Sequence, residues 1–311
     1  MNRICVIGGA NIDICGCSAE KLRYFDSNPG MISLSFGGVG RNIAQILALL
    51  GEQVDFLTCF SSDNYGTLMR RDCEALGMRT GWSIVTDDYP SSMYLAILDS
   101  DRDMKVAMSD MRILRAMTPE SLQPALAELK EDDMIVLDAN LDMECIGYIL
   151  DHASCRIAAD PVSAGKAARL KDRLKDLTIF KPNRYEAQEL SGITIHDEKS
   201  AAESLDWFLN QGVKEIIISM AEGGILAADQ NEKIWFTHRM ILVENATGAG
   251  DTFLGAYAAK RLHGCGLREA AHFGISAAIC AIEQDAVNRR SLNASDVEKQ
   301  IVSAEIKERI L

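Results

Sequence analysis

The sequence predicts an α/β protein: a mostly parallel sheet covered on both faces by helices, with a small second sheet beside it. Three observations carry this. Short, near-continuous apolar runs recur along the chain, namely "RICVI", "MIVLD", "RIAAD", "TIFK" and "EIIISM". Strands buried on both faces read this way. Stretches with apolar residues at helical spacing lie between most of these runs, and strand–helix alternation implies parallel pairing. Finally, the pattern changes to short β-type runs between residues 82 and 112, which a central parallel sheet does not use.

Taken in order, residues 3–7 form a strand that ends in Gly8 and Gly9. In "GRNIAQILALLG", Ile43, Ile46, Leu47 and Leu50 form one helical stripe, and Gly51 is a natural stop. Residues 54–60 read as a strand, and residues 65–76 as a helix closed by Gly77. "SMYLAILD" and "MKVAMS", parted by the turn-prone "SDRD", read as a hairpin. Together with residues 12–18 and 31–36 it would make a small sheet. We expect a lid formed by about 12–36 and 82–112, inserted into a single domain over 1–311. Beyond Pro119, strands are expected at 134–138, 156–160, 178–181 and 215–220, and helices at 248–263, 268–283 and 295–308.

The 311 residues carry a formal net charge of −13. An acidic surface repels nucleic acid and anionic membranes, so neither is expected as a partner. Any phosphate-binding place must then create positive potential locally. Nine cysteines lack C-x-x-C spacing and read as buried thiols of a reducing, cytoplasmic compartment. No leader signature opens the sequence, and no run of about 18 apolar residues suits a membrane span. The five histidines show no ligand spacing.

In open α/β sheets, ligands sit outside the carboxyl ends of the strands. That rule singles out residues 8–13, 138–140, 160–166 and 181–186. The most informative stretch is "NATGAGD". Gly248, Ala249 and Gly250 leave the backbone bare at a helix start, where unpaired N–H groups and the helix dipole favour an anion. Asp251 follows at the helix mouth. As a phosphate ligand it would repel its partner; as a base it can take a hydroxyl proton while that oxygen attacks phosphorus. The plainer alternative is a glycine turn with a dipole-pairing aspartate.

"FGGVGRN" is a second glycine cluster before a helix, without the lysine and spacing of a phosphate loop. Gly38 and Asn42 suit a polyhydroxylated ligand, as do Asn11 and Asp13 after the first strand; a plain turn is the competing reading. "KPNRYE" holds Asn183 and Glu186 at capping-box spacing, or as residues that hold waters around Mg²⁺. Lys166, Lys181 and Arg41 could offset phosphate charge, or could simply be solvated cations. "SMAEGG" follows a strand, and could line a nucleotide site or form a hairpin turn.

Together these motifs resemble the ribokinase-like (PfkB) family of carbohydrate and nucleoside kinases. The likeness spans nearly the whole chain and rests on "GGANID", "GGVGRN", "KPNRYE" and "NATGAGD". "DSNPGMISLSFGGVGRNIAQILALLG", "DPVSAGK" and "LKDLTIFKPNRYEAQELSGI" carry a closer likeness to a nucleoside-phosphorylating branch. The resemblance implies a three-layer α/β/α core with a β-sheet lid, and Mg²⁺-ATP as phosphate donor. It implies Asp251 as base and Gly248, Ala249 and Gly250 as the anion hole. Asn11, Asp13, Gly38 and Asn42 would hold the sugar hydroxyls. Asn183, Ser219, Gly224 and Thr247 would meet the nucleotide, with Asn183 and Glu186 organising the metal. Ser92, Asp110 and Asn140 are candidates for the base edge.

The resemblance also implies a monovalent cation such as K⁺ near Asn245 and Ala286, and a homodimer through the lid. One departure is Ala221, where the family usually has glycine. The alternatives are kinases of ribose, another nucleoside or a related sugar, and a non-catalytic nucleoside-binding regulator.

Overall fold

The computed structural model describes residues 2–241, 248–283 and 291–311. Among the described residues nine strands form the main sheet, in the order β15-β14-β13-β12-β11-β10-β9-β1-β4. Its parallel part comprises β1 (Ile4–Ile7), β4 (Val54–Leu57), β9 (Met134–Asp138), β10 (Arg156–Asp160), β11 (Ile179–Phe180) and β12 (Glu215–Ser219). Three antiparallel strands extend it: β13 (Ile225–Ala228), β14 (Lys233–Thr237) and β15 (Lys307–Ile310).

Successive residues of each central strand feed opposite cores, as the period of two requires. Cys5, Ile7, Ile135 and Leu137 face one apolar layer, and Ile4, Val6, Met134 and Val136 face the other. The first layer is closed by α3 (Pro119–Glu128), α4 (Met143–His152), α6 (Arg184–Ser191) and α7 (Glu198–Asn210). The second is closed by α1 (Val39–Leu49), α2 (Asn64–Ala75), α8 (Ala249–Leu262) and α9 (Leu267–Glu283). The short α5 (Ala164–Ala167) follows β10, and α10 (Ala294–Ser303) packs on α9 through Val297. This is the three-layer α/β/α arrangement with a mostly parallel sheet.

The small sheet has the order β3-β2-β7-β8, from β2 (Asn11–Ser18), β3 (Gly30–Gly37), β7 (Met93–Leu98) and β8 (Met104–Asp110). Its register pairs Asn11 with Gly37 and Ile12 with Met93. The "NID" start of β2, the glycine cluster and the hairpin therefore meet at one end.

Two expectations are corrected, and one open choice of local structure is resolved. Residues 54–60 are not one strand: the chain turns at Thr58 into β5 (Cys59–Ser61), which pairs with β6 (Ile84–Thr86) instead. The helix expected over 295–308 ends at Ser303, and "KERI" becomes an exposed edge strand. Its charged residues mimic a helical surface, but they also suit a sheet edge that must not recruit other strands. "SMAEGG" is the turn of the β12–β13 hairpin.

Candidate active site

The site lies where the parallel strands end. Asp138 and Asp160 close adjacent strands and stand side by side in register. Asp160 shares its carboxylate between the Val162 N–H (2.7 Å) and the Lys181 ammonium (3.0 Å). Val162 itself has φ 67°, a costly conformation for a β-branched residue. The turn after β10 is therefore held in place against its own preference.

Lys181 follows β11 directly and is buried, not a solvated cation. Burial opposes its charge, but Asp160, then Glu186 and, more weakly, Asp251 hold its pKa above the usual lysine value. Its ammonium lies under the start of α8, where a Cβ on Gly250 would stand 3.1 Å from Nζ. α8 begins with Gly248 in the left-handed region (φ 81°) and without a side-chain cap. Its first amides and the lysine charge thus favour an anion at one place.

Asp251 sits in the first turn of α8 and is half-buried. Its Oδ2 accepts a 2.8 Å hydrogen bond from Asn42 Nδ2, across 209 positions of sequence. Burial, followed by the charge of Asp160, pushes its pKa up to about 7, while the Asn42 bond and Lys181 pull it back. A carboxyl balanced near neutrality can both take and release a proton.

The second glycine cluster is shaped by contacts with "GGANID". A Cβ on Gly37 would overlap the Asp13 carboxylate, and Gly38 (φ 101°) lies against the Gly9 carbonyl. Asn11 donates to Asp13 at 2.5 Å. Burial raises the pKa of Asp13. Arg41 is buried too: it donates to the Phe36 carbonyl and pairs with Asp72 at 2.6 Å, so its place is in the packing of α1 on α2.

Next to these, Asn140 Oδ1 accepts from Lys166 at 2.5 Å. A cavity of about 260 Å³ opens there, lined in part by Met111, Arg115, Asn140, Lys166 and Arg169. Arg169 donates to the carbonyls of Ala139, Asn140 and Leu141, fixing the strand-end loop. Ser92 is buried, its hydroxyl has no hydrogen-bond partner, and its carbonyl accepts the Ile12 N–H at 2.9 Å. Asp110, at the end of β8, is engaged by Arg112 through both oxygens, which holds its pKa well below the carboxylate range.

On the other side, Asn183 caps α6 and Glu186 returns a 2.7 Å bond to the Asn183 N–H. The capping box is therefore real. Glu186 is buried, and burial and the nearby Asp160 charge raise its pKa. Asn183 bridges to Ser219 across the sheet, and the Met220 N–H bonds the Gly224 carbonyl, so Asn183, Ser219 and Gly224 share one rim. Ala221, in that turn, has φ 50°. Among the described residues no group of three or more His, Cys, Asp or Glu could form a metal cage. A magnesium ion carried by phosphates needs only one or two protein carboxylates. Asp160 and Glu186, two buried acids that repel each other, fit that demand. Thr247, Asn245 and Ala286 lie outside the described residues.

The strand-end rule singled out the stretches that hold Asp138 and Asp160, but no motif gave either residue a specific role; the signal was that each closes an apolar run at a strand's carboxyl end.

Comparison with known proteins identifies the family and the fold. Residues 1–293 match the model of the pfkB family of carbohydrate kinases. The pseudouridine kinase of Escherichia coli is 35% identical over 304 residues, 97% of each chain. A guanosine-inosine kinase of Exiguobacterium acetylicum is 26% identical, covering 89% of this chain and 93% of its own. A carbohydrate kinase from Agrobacterium tumefaciens superposes with a TM-score of 0.86 at 26% identity, covering 100% of both chains. The Arabidopsis thaliana ribokinase complexed with ribose and ATP gives a TM-score of 0.81 at 19% identity, covering 97% of this chain and 99% of its own, and shares the fold. No described helix is long and apolar enough to cross a membrane. The chain belongs to the PfkB family of carbohydrate and nucleoside kinases.

Proposed function

We propose that the protein transfers the γ-phosphoryl group of ATP to the 5′-hydroxyl of pseudouridine, giving pseudouridine 5′-phosphate and ADP. The observation that carries the phosphotransfer is Asp251: a carboxyl with pKa near 7, held by Asn42 from the sugar side, at the open start of α8. In this reading Asp251 accepts the 5′-hydroxyl proton as the oxygen attacks. The amides at Gly248, Ala249 and Gly250, with Lys181 beneath, stabilise charge on the moving group. Mg²⁺, organised by Asn183 and Glu186 with the Asp160 charge nearby, would neutralise the phosphates. Asn183, Ser219, Gly224 and Thr247 would line the nucleotide.

Asn11, Asp13, Gly38 and Asn42 are the proposed ribosyl contacts. The Asn140–Lys166 pair would supply donors and an acceptor to the uracil edge within the cavity beside Asn140, and the unpaired Ser92 hydroxyl is a further proposed base contact outside that lining. Asp110, occupied by Arg112, is the weakest of the proposed base contacts. The choice of pseudouridine over ribose or another nucleoside rests on the 35% identity to the Escherichia coli kinase across 97% of both chains. The small sheet would act as a lid that excludes water. Its outer residues Met31, Ile32, Val106 and Met108 are exposed, which suits the proposed homodimer through the lid.

The test is ADP release with Mg²⁺-ATP across pseudouridine, uridine, ribose and adenosine. Pseudouridine should give the highest kcat/KM. A higher value for any other acceptor reassigns the substrate. Nucleoside binding without ADP release would make the protein a non-catalytic regulator.

A further inference from the structure

Asp138 is the most completely enclosed carboxylate at the strand ends, with no exposed surface. It makes no contact with Asn42 or Asp251 in the hydrogen-bond pattern, yet three separate segments converge on it. Its Oδ2 accepts the N–H of Gly9 at 2.9 Å and of Gly40 at 2.7 Å, and its Oδ1 accepts the N–H of Asn140 at 2.9 Å.

Each segment carries proposed acceptor contacts. The Gly9 turn leads into Asn11 and Asp13. Gly40 stands between Gly38 and Asn42. Asn140 faces the cavity. Gly40 also belongs to the first turn of α1, whose N-cap Gly38 offers no side chain. Asp138 therefore satisfies from another strand one of the amides that a capping residue would normally take. Space is tight: a Cβ on Gly8 would stand 2.5 Å from Asp138 Oδ2, and one on Gly40 would stand 3.0 Å from it. Two glycines are thus required so that this carboxylate can reach the backbone.

We infer that Asp138 is the positioning residue of the acceptor floor: its single buried carboxylate sets the distance between the Gly9 turn, the start of α1 and the β9 loop. An amide cannot replace it. The substitution Asp138→Asn would leave one oxygen and turn an N–H₂ group toward an N–H donor, so at least one of the three segments must move. The nucleotide rim (Asn183, Ser219 and Gly224) has no bond to Asp138 and should not move with it.

The inference rests on the proposed phosphotransfer for its kinetic readout, and so has a second readout that does not. In Asp138→Asn, the KM for pseudouridine should rise about tenfold or more while the KM for ATP stays within twofold. A rise in acceptor KM of less than threefold, or an equal rise in both constants, overturns it. If no acceptor is phosphorylated by the wild type, the proposed function fails. The inference is then judged by amide hydrogen exchange, which in the variant should quicken at one or more of Gly9, Gly40 and Asn140 but not at Ser219 or Gly224. Uniform or unchanged exchange overturns it. Should Asp138→Asn not fold, the smaller Asp138→Ser carries the same comparison. If neither folds, Asp138 is a core residue only and the inference falls.

Discussion

The two halves of the site are built from different materials. The acceptor side is a matter of close backbone approach: Gly37, Gly38 and Gly40 make room, and hydrogen bonds among Asn11, Asp13, Asn140 and Lys166 give it shape. The phosphoryl side is a charge balance, with Asp160, Glu186 and Asp251 all within electrostatic reach of the buried Lys181. In the proposed reading such geometry suits a polyol, because hydroxyls are read by position. Charge balance serves a reaction in which a proton leaves and negative charge moves. Asn42 joins the two halves, lying in the first turn of α1 and bonding Asp251.

The largest effect should come from removing the base. In Asp251→Asn, turnover should fall about 10³-fold, the range general-base catalysis supplies, while nucleoside binding measured by calorimetry stays nearly unchanged. Unaltered kcat would remove Asp251 from the chemistry. The same variant tests the charge balance. The folded pKa, about 7, lies above the unfolded value of about 3.9. The folded chain therefore binds more protons between these values, and stability falls as pH rises from about 4 to about 7. Asn carries no such penalty. The Tm of Asp251→Asn should exceed that of wild type at pH 8 and approach it near pH 4. For the wild type, kcat/KM should rise with pH through about 7, as the carboxylate forms.

Lys181→Met breaks the same side from its cationic partner. It leaves Asp160 buried without its counter-ion, and such a loss costs about 3–5 kcal/mol. Denaturant unfolding would register it as a lower midpoint. Because Lys181 holds the Asp251 pKa down, the acid limb of the activity profile should also move to higher pH. A stable variant with an unmoved limb would show that the lysine is mere packing. On the acceptor side the contrast should be plain. The Ser92 hydroxyl has no partner to lose, so Ser92→Ala should leave Tm within about 1 °C or raise it. If that hydroxyl serves the acceptor, its KM should rise about three- to tenfold, the worth of one hydrogen bond. Equal KM values would leave the hydroxyl unexplained.

Much of this was legible in the sequence, for reasons that differ by residue. The apolar strand runs and helical stripes announce the layered sheet because burial on both faces leaves no choice of residue type. "TGAGD" and "GGVGRN" are visible because only small residues admit a close approach. The outer antiparallel strands were missed: Ile225–Ala228 and Lys233–Thr237 are short, and β15 is nearly all charged. Lys181 reads as a surface cation because nothing local reveals that Asp160, 21 positions earlier, will be buried beside it. The left-handed Val162 is likewise fixed by tertiary contacts, since its own preference opposes it.

Ala221 is the opposite case, where sequence and structure agree on a local strain. A glycine would occupy φ 50° freely, while an alanine there incurs about 1–2 kcal/mol. The residue starts the turn between β12 and β13, on the rim with Ser219 and Gly224. Nothing in its hydrogen bonds requires a methyl group, since the Ala221 carbonyl already accepts the Gly224 N–H at 3.1 Å and a glycine would keep that bond. Ala221→Gly should therefore raise Tm, by about 2 °C for a chain of this size, after allowing for the extra freedom glycine gains when unfolded. Scanning calorimetry checks it. A fall in Tm would mean the methyl group packs usefully. An unchanged acceptor KM in the same variant would confine the effect to the nucleotide rim.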